Sequence, residues 1–287
     1  MLIDLQLHST YSDGNLTPTQ LVKFIADQGV KIASLTDHNT VGGLDEFRQA
    51  CKRYKIKSIA GIELYIKFGA KRMNLLWFNF DDKNPQLHNI LRESQARRRN
   101  QVRTILKKLV RQGFKIEINK ILDKYTHYTP INHIIKEIYS IPYNQRKIKN
   151  DLKIKNPREN EIIIRYFKNE KIGVLRESYI NIERILKLRK KINGQLIINH
   201  PAKHSHIRRK NWEDLKKIGL DGVEVLSPHH SIGAIMYAQH LAQELNFIET
   251  GGSDFHRFEG GNYFLQSAFD YFEIDSKYLR RIKEIIS

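Results

Sequence analysis

The chain opens as strand, helix, strand, helix, strand, and each strand gives way to a loop that carries a histidine or an acid. Ile3, Leu5 and Leu7 alternate with Asp4, Gln6 and His8, the period of a strand. The run Ser9-Thr10-Tyr11-Ser12-Asp13-Gly14 then turns. Thr17-Pro18-Thr19-Gln20 reads as a helix start, with Thr17 as N-cap, Pro18 in the first turn and Gln20 closing a capping box. That helix carries Leu21, Phe24 and Ile25 and stops at Gly29. A second strand, Lys31 to Leu35, runs into Thr36-Asp37-His38-Asn39-Thr40. A helix to Tyr54 puts Leu44, Phe47 and Cys51 on one face, and a third strand, Lys57 to Glu63, follows. This order starts a parallel α/β fold. His8, Asp13, Asp37, His38 and Glu63 all fall at or just beyond strand C-terminal ends, where such folds place their active sites.

Two apolar segments between Tyr65 and Phe80 flank Gly69-Ala70-Lys71-Arg72, which predicts a hairpin or two short strands. A long helical pattern opens near Pro85 and ends at Gly113, with Arg97-Arg98-Arg99 inside it. Beyond Asn119 the patterning weakens, with short helical runs such as Ile134 to Tyr139. The reading is a barrel part over 1–91, an inserted and mostly helical subdomain over 92–185, and a second barrel part over 186–287. In that second part Gln195 to Asn199 is a strand leading into His200-Pro201. Gly222 to Leu226 is another, ahead of Ser227-Pro228-His229-His230. Phe247 to Glu249 precedes Thr250-Gly251-Gly252-Ser253-Asp254-Phe255-His256. Tyr278, Leu279 and Ile282 have helical spacing at the end.

One cysteine, Cys51, excludes an internal disulfide and a cysteine-cluster zinc site, and fits a reducing cytoplasm. The N-terminus lacks the charged-then-apolar pattern of a signal peptide, and no apolar stretch reaches membrane-spanning length. The expectation is a cytoplasmic protein with no membrane partner. A net charge of +18 attracts polyanions: RNA, DNA or phosphorylated small molecules. The chain is also rich in Ile, Asn and Lys, a bias that AT-rich coding sequence produces on its own, so the charge speaks to association and not to chemistry.

His8, Asp13, His38, Glu63, His200, Asp254 and His256 each end a predicted strand or sit in the loop beyond it. A common barrel rim would gather them, and imidazoles with bridging carboxylates are the ligand set of a polynuclear Zn, Mn or Fe site. These segments resemble the PHP (polymerase and histidinol phosphatase) family of metal-dependent phosphoesterases. The resemblance lies in Leu7-His8-Ser9-Thr10 with Ser12-Asp13-Gly14, Thr36-Asp37-His38-Asn39-Thr40, Gly61-Ile62-Glu63, Asn199-His200-Pro201 and Gly252-Ser253-Asp254-Phe255-His256. It is strongest toward the branch of nucleoside 3′,5′-bisphosphate phosphatases and 5′→3′ exoribonucleases.

The resemblance implies a distorted (β/α)7 TIM-like barrel with up to three divalent ions (Mn, Zn, Fe or Mg) at the strand C-terminal ends. His8, Glu63 and Asp254 would hold one ion, Glu63 and His200 a second, and Asp13, His38 and His256 a third. Gln6 and Asn74 stand where the family has histidines, which weakens the first two sites and shifts preference from zinc toward Mn²⁺ or Mg²⁺. The implied activity is hydrolysis of phosphate esters of nucleotides or RNA 5′ ends by a metal-bound hydroxide, with no side-chain nucleophile. Arg97, Arg98, Arg99, His133, Lys203 and His230 are the candidates for substrate phosphate. Two other readings stand beside it: a degenerate PHP protein that binds nucleotide or nucleic acid with little turnover, and a small-molecule phosphatase of the histidinol phosphate type.

Overall fold

The computed structural model describes residues 1–204, 208–257 and 273–287. Helix α1 (Pro18–Asp27) begins where the sequence says it should. The Thr17 hydroxyl accepts from the Gln20 N–H, and the Gln20 side chain accepts from the Thr17 N–H. It follows strand β1 (Leu2–Leu7) and leads to β2 (Ile32–Leu35), α2 (Leu44–Tyr54) and β3 (Lys57–Phe68). β3 continues past Glu63 and turns at Gly69-Ala70 into β4 (Lys71–Phe78), so the hairpin reading holds but its first arm is the end of the third strand.

Helix α3 (Pro85–Arg111) then leads into a separate compact unit, Leu91–Ser178. This unit contains α4 (Ile118–Leu122), α5 (Ile131–Ser140), α6 (Pro142–Leu152) and α7 (Glu159–Phe167). A two-stranded ribbon of β5 (Lys168–Asn169) and β6 (Gly173–Val174) completes it. Its own core joins Val102, Ile105, Leu106 and Leu109 to Ile134, Ile135, Ile138, Ile162, Tyr166 and Phe167. Buried Asn144 bonds the backbone N–H and C=O of Lys115, each at 2.8 Å.

The first unit resumes at Tyr179, earlier than the expected boundary at 185, because β7 (Ile180–Asn181) pairs with β3. It continues through α8 (Ile182–Ile192), β8 (Gln195–Ile198), α9 (Arg209–Lys217), β9 (Gly222–Leu226), α10 (Ile232–Glu244) and β10 (Ile248–Gly251). Among the described residues the strands run in the order β10-β9-β8-β4-β3-β2-β1. Leu7 of β1 bridges Phe255 just past β10, so the sheet curls into a nearly closed barrel. The distortion lies at β4, which is antiparallel to both β3 and β8.

The chain end packs against the barrel strands. β11 (Ile274–Asp275) pairs antiparallel with Leu2 and Ile3. Ile282, Ile285 and Ile286 are buried against Ile3, Leu5, Ile59 and Phe78, each worth about 1.5–3 kcal/mol of apolar burial. The helix expected through Tyr278, Leu279 and Ile282 does not form. A 3₁₀ turn at Ser276–Tyr278 and a short helix α11 (Lys283–Ile286) flank Arg281, whose φ of 58° breaks the helical path.

Candidate metal centre

The barrel brings the seven sequence-predicted ligands together at strand ends. His8 Nε2 lies 3.1 Å from Glu63 Oε2 and 3.1 Å from Asp254 Oδ1. Its Nδ1 faces Asp13 Oδ1 at 3.8 Å. Asp13 is also approached by His38 Nε2 at 3.6 Å and His256 Nε2 at 3.4 Å. His200 Nε2 stands 3.4 Å from the other oxygen of Glu63, Oε1. His8 and Glu63 are completely buried, whereas Asp13 and His256 are partly open.

Local sequence explains the placement. Asp37 holds the first loop against the second: it accepts from the Ser9 N–H at 2.7 Å, the Ser9 hydroxyl at 2.6 Å and the Ser12 hydroxyl at 2.5 Å. Gly252 lets the loop after β10 lie on β1, since any side chain there would run into the backbone and Cβ of Gln6. Asp4 fixes the same junction by accepting from the Ser253 N–H at 3.0 Å. Asp254 itself sits at φ 51°, a left-handed conformation uncommon outside glycine that this packing maintains.

The charges are mutually dependent. Burial pushes the Glu63 carboxyl up, but His38, His200 and His8 outweigh it and hold the group well below the usual range. Burial likewise opposes ionisation of Asp254, and His256, His229 and His8 reverse that. Asp13 is lowered by His256 and His38 against its own burial. His8 is disfavoured as a cation by burial, yet Asp254 and Glu63 raise it well above an ordinary histidine. The imidazoles around them thus favour the ionised form of these carboxylates.

The spacing of these donor atoms suits a divalent cation. Donor atoms on one tetrahedral zinc stand about 3.3 Å apart, given bonds of about 2.0–2.1 Å. His8, Glu63 and Asp254 form one group with mutually close donor atoms; His8, Asp13, His38 and His256 form another. Neither buried ring nitrogen of His8 makes a hydrogen bond of sound geometry, although carboxylates surround it. These are the residues that would hold metal. Gln6 and Asn74, the two departures, both donate to Glu63, Gln6 to Oε2 at 3.4 Å and Asn74 to Oε1.

Other candidates fall elsewhere. His230 is buried and occupied, with Nδ1 on the Val225 carbonyl at 2.8 Å and Nε2 accepting from the Ala202 N–H at 3.4 Å. It braces the segment after His200. Its neighbour His229, which the sequence left unassigned, reaches Asp254 Oδ2 at 2.6 Å. Lys203 Nζ lies 3.4 Å from the same oxygen and 3.1 Å from His229 Nε2. Arg97, Arg98, Arg99 and His133 lie in the helical unit. There Arg98 is buried against Glu177 and the Thr129 carbonyl, and Arg99 bonds the Leu122 and Tyr125 carbonyls and Asp123. Arg97 bonds the Ser178 hydroxyl at 3.2 Å. Asn199 is a further contributor that sequence reasoning passed over, and only its place beside His200 hinted at it. Among the described residues no helix is long and apolar enough to cross a membrane.

Known proteins resemble this chain in sequence and in fold. A family model described as the PHP domain matches residues 4–129. The chain is 28% identical to a 5′-3′ exoribonuclease of Haemophilus influenzae, over 88% of this chain and 89% of that protein. It is 25% identical to a phosphoribosyl 1,2-cyclic phosphate 1,2-diphosphodiesterase of Eggerthella lenta, over 89% of this chain and 94% of that one. A 3′,5′-nucleoside bisphosphate phosphatase of Chromobacterium violaceum is 26% identical, over 88% and 87%. In fold, a Bifidobacterium adolescentis structure described as a candidate metal-dependent phosphoesterase superposes with a TM-score of 0.72 at 18% identity, covering 96% of this chain and 98% of that one. Residues 4–129 thus match the PHP domain, and over most of its length the chain is similar to phosphoesterases that act on nucleotides, RNA or cyclic phosphates.

Proposed function

We propose that the chain hydrolyses phosphate esters of nucleotides or of RNA 5′ ends. The observation that carries this reading is the convergence of His8, Asp13, His38, Glu63, Asp254 and His256 into two donor groups at the barrel strand ends. A divalent metal held by these residues would supply an acidified water and neutralise phosphoryl charge. The chain's own residues do the rest. Glu63 and Asp254, buried beside His8, would give such a metal anionic oxygen ligands. Lys203 and His229, half-exposed beside Asp254, offer N–H donors to a phosphate entering from the open side.

One observation favours a second reading, binding with little turnover: the amides of Gln6 and Asn74, at the two positions where the family has histidines, donate to Glu63. Phosphate release from adenosine 3′,5′-bisphosphate, 5′-phosphorylated short RNA and histidinol phosphate, each with Mn²⁺, separates the readings. The proposal expects turnover of a nucleotide or RNA substrate. Turnover of histidinol phosphate alone, or of nothing, contradicts it.

A further inference from the structure

The helical unit contains a cleft of about 830 Å³ whose lining residues all lie between Gln112 and Ile172. Arg146, Lys147, Arg165 and Lys171 line it, against a single lining carboxylate, Asp151. That carboxylate is already taken: Arg165 grips it through Nε at 3.0 Å and Nη2 at 2.8 Å, and the Tyr166 hydroxyl donates to it at 2.6 Å. Two aromatic rings, Phe114 and Tyr143, line the same cleft. Lys147 Nζ lies 5.5 Å from the Phe114 ring centre, and Lys115 Nζ 4.7 Å from that of Tyr143. Tyr143 is 41% exposed, so its ring offers a face to solvent.

We propose that this cleft is a docking site for single-stranded RNA, built from residues that take no part in the metal centre. Cations alone would suit any polyanion. Cations interleaved with an exposed aromatic ring suit a strand whose phosphates and unstacked bases are both available. A duplex hides its base faces, and an acidic protein segment has none to stack. The cleft retains the strand, and it has no role in hydrolysis of a single nucleotide.

The test uses the full chain and a 5′-phosphorylated oligouridine in chelator, where metal-dependent cleavage is stopped. Fluorescence anisotropy is read across a salt series for wild type, a triple variant (Arg146→Glu, Lys147→Glu, Lys171→Glu) and Tyr143→Ala. A control triple variant on α8 (Lys187→Glu, Lys190→Glu, Lys191→Glu) makes the same change in net charge. The proposal expects the cleft triple variant to lose at least about tenfold in affinity. Its log–log salt slope should flatten by about two, at roughly 0.7 for each strand phosphate that the variant no longer neutralises. Tyr143→Ala should lose about fivefold or more for oligouridine and nothing for inorganic polyphosphate, in keeping with a stacked base. Phosphate release from adenosine 3′,5′-bisphosphate with Mn²⁺ should stay unchanged in every variant. Equal losses in the cleft and control variants would overturn the proposal, because net charge alone would then explain binding. Unchanged RNA affinity in the cleft variant would overturn it as well. A protein that binds RNA through this cleft but releases no phosphate would leave the proposal standing and contradict the phosphoesterase reading.

Discussion

Asn199 donates from Nδ2 to Oε1 of Glu63 at 2.7 Å, deep in the barrel and one residue before His200. The same oxygen receives Asn74, and Gln6 approaches the other oxygen. A carboxylate that would be shared between ions is thus held by neutral amides. Groups that orient a metal ligand typically matter 10–100-fold for affinity or activity. Asn199→Ala is expected to weaken Mn²⁺ binding by about that factor, read by isothermal titration. An unchanged affinity would mean that Asn199 serves the fold alone.

The two substituted positions make the amide arrangement reversible. Gln6→His with Asn74→His should restore imidazole ligands on both sides of Glu63 and increase bound metal by at least one equivalent. Elemental analysis of protein purified without chelator measures this directly. An unchanged metal count would show that the amides are not what limits occupancy.

Arg98 tests the helical unit. Its guanidinium is buried, ion-paired with Glu177, bonded to the Thr129 carbonyl and placed 5.0 Å from the Tyr128 ring centre. Removing one partner of a buried pair costs about 3–5 kcal/mol. Arg98→Ala should therefore lower the denaturant midpoint well beyond what an exposed charge would do. A loss below about 1 kcal/mol, the scale of a surface pair, would contradict the assignment.

Cys51 gives a pH-dependent signal. Burial pushes its thiol up to about 12, so the folded protein holds almost no thiolate at pH 8, whereas an unfolded cysteine titrates near 8.5. Disulfide-exchange reagents should label Cys51 only after denaturation. Fast labelling of the native chain would mean that α2 opens readily.

Local chemistry made much of this molecule legible. The capping box at Thr17 and Gln20, the alternation in β1 and the glycines before Asp254 are properties of a few adjacent residues, and they mark where strands end and loops carry ligands. What depends on long-range packing was not legible. His229 and His230 are neighbours of the same type, and only the fold turns one toward Asp254 and the other toward the Val225 carbonyl. The length of β3 past Glu63 depends on its pairing with β4 and β7, and the path of the tail depends on which isoleucines the barrel strands receive. The run Arg97-Arg98-Arg99 reads as one basic patch, yet successive helix positions point in different directions, and Arg98 turned inward.

The most direct test of the metal-dependent phosphoesterase account is phosphate release from adenosine 3′,5′-bisphosphate by chelator-stripped protein, before and after Mn²⁺ is returned, with Glu63→Gln alongside. The account predicts no release without metal, recovery with Mn²⁺, and a loss of about two orders of magnitude or more in Glu63→Gln. Release that survives stripping, or a Glu63→Gln protein as active as wild type, would contradict it.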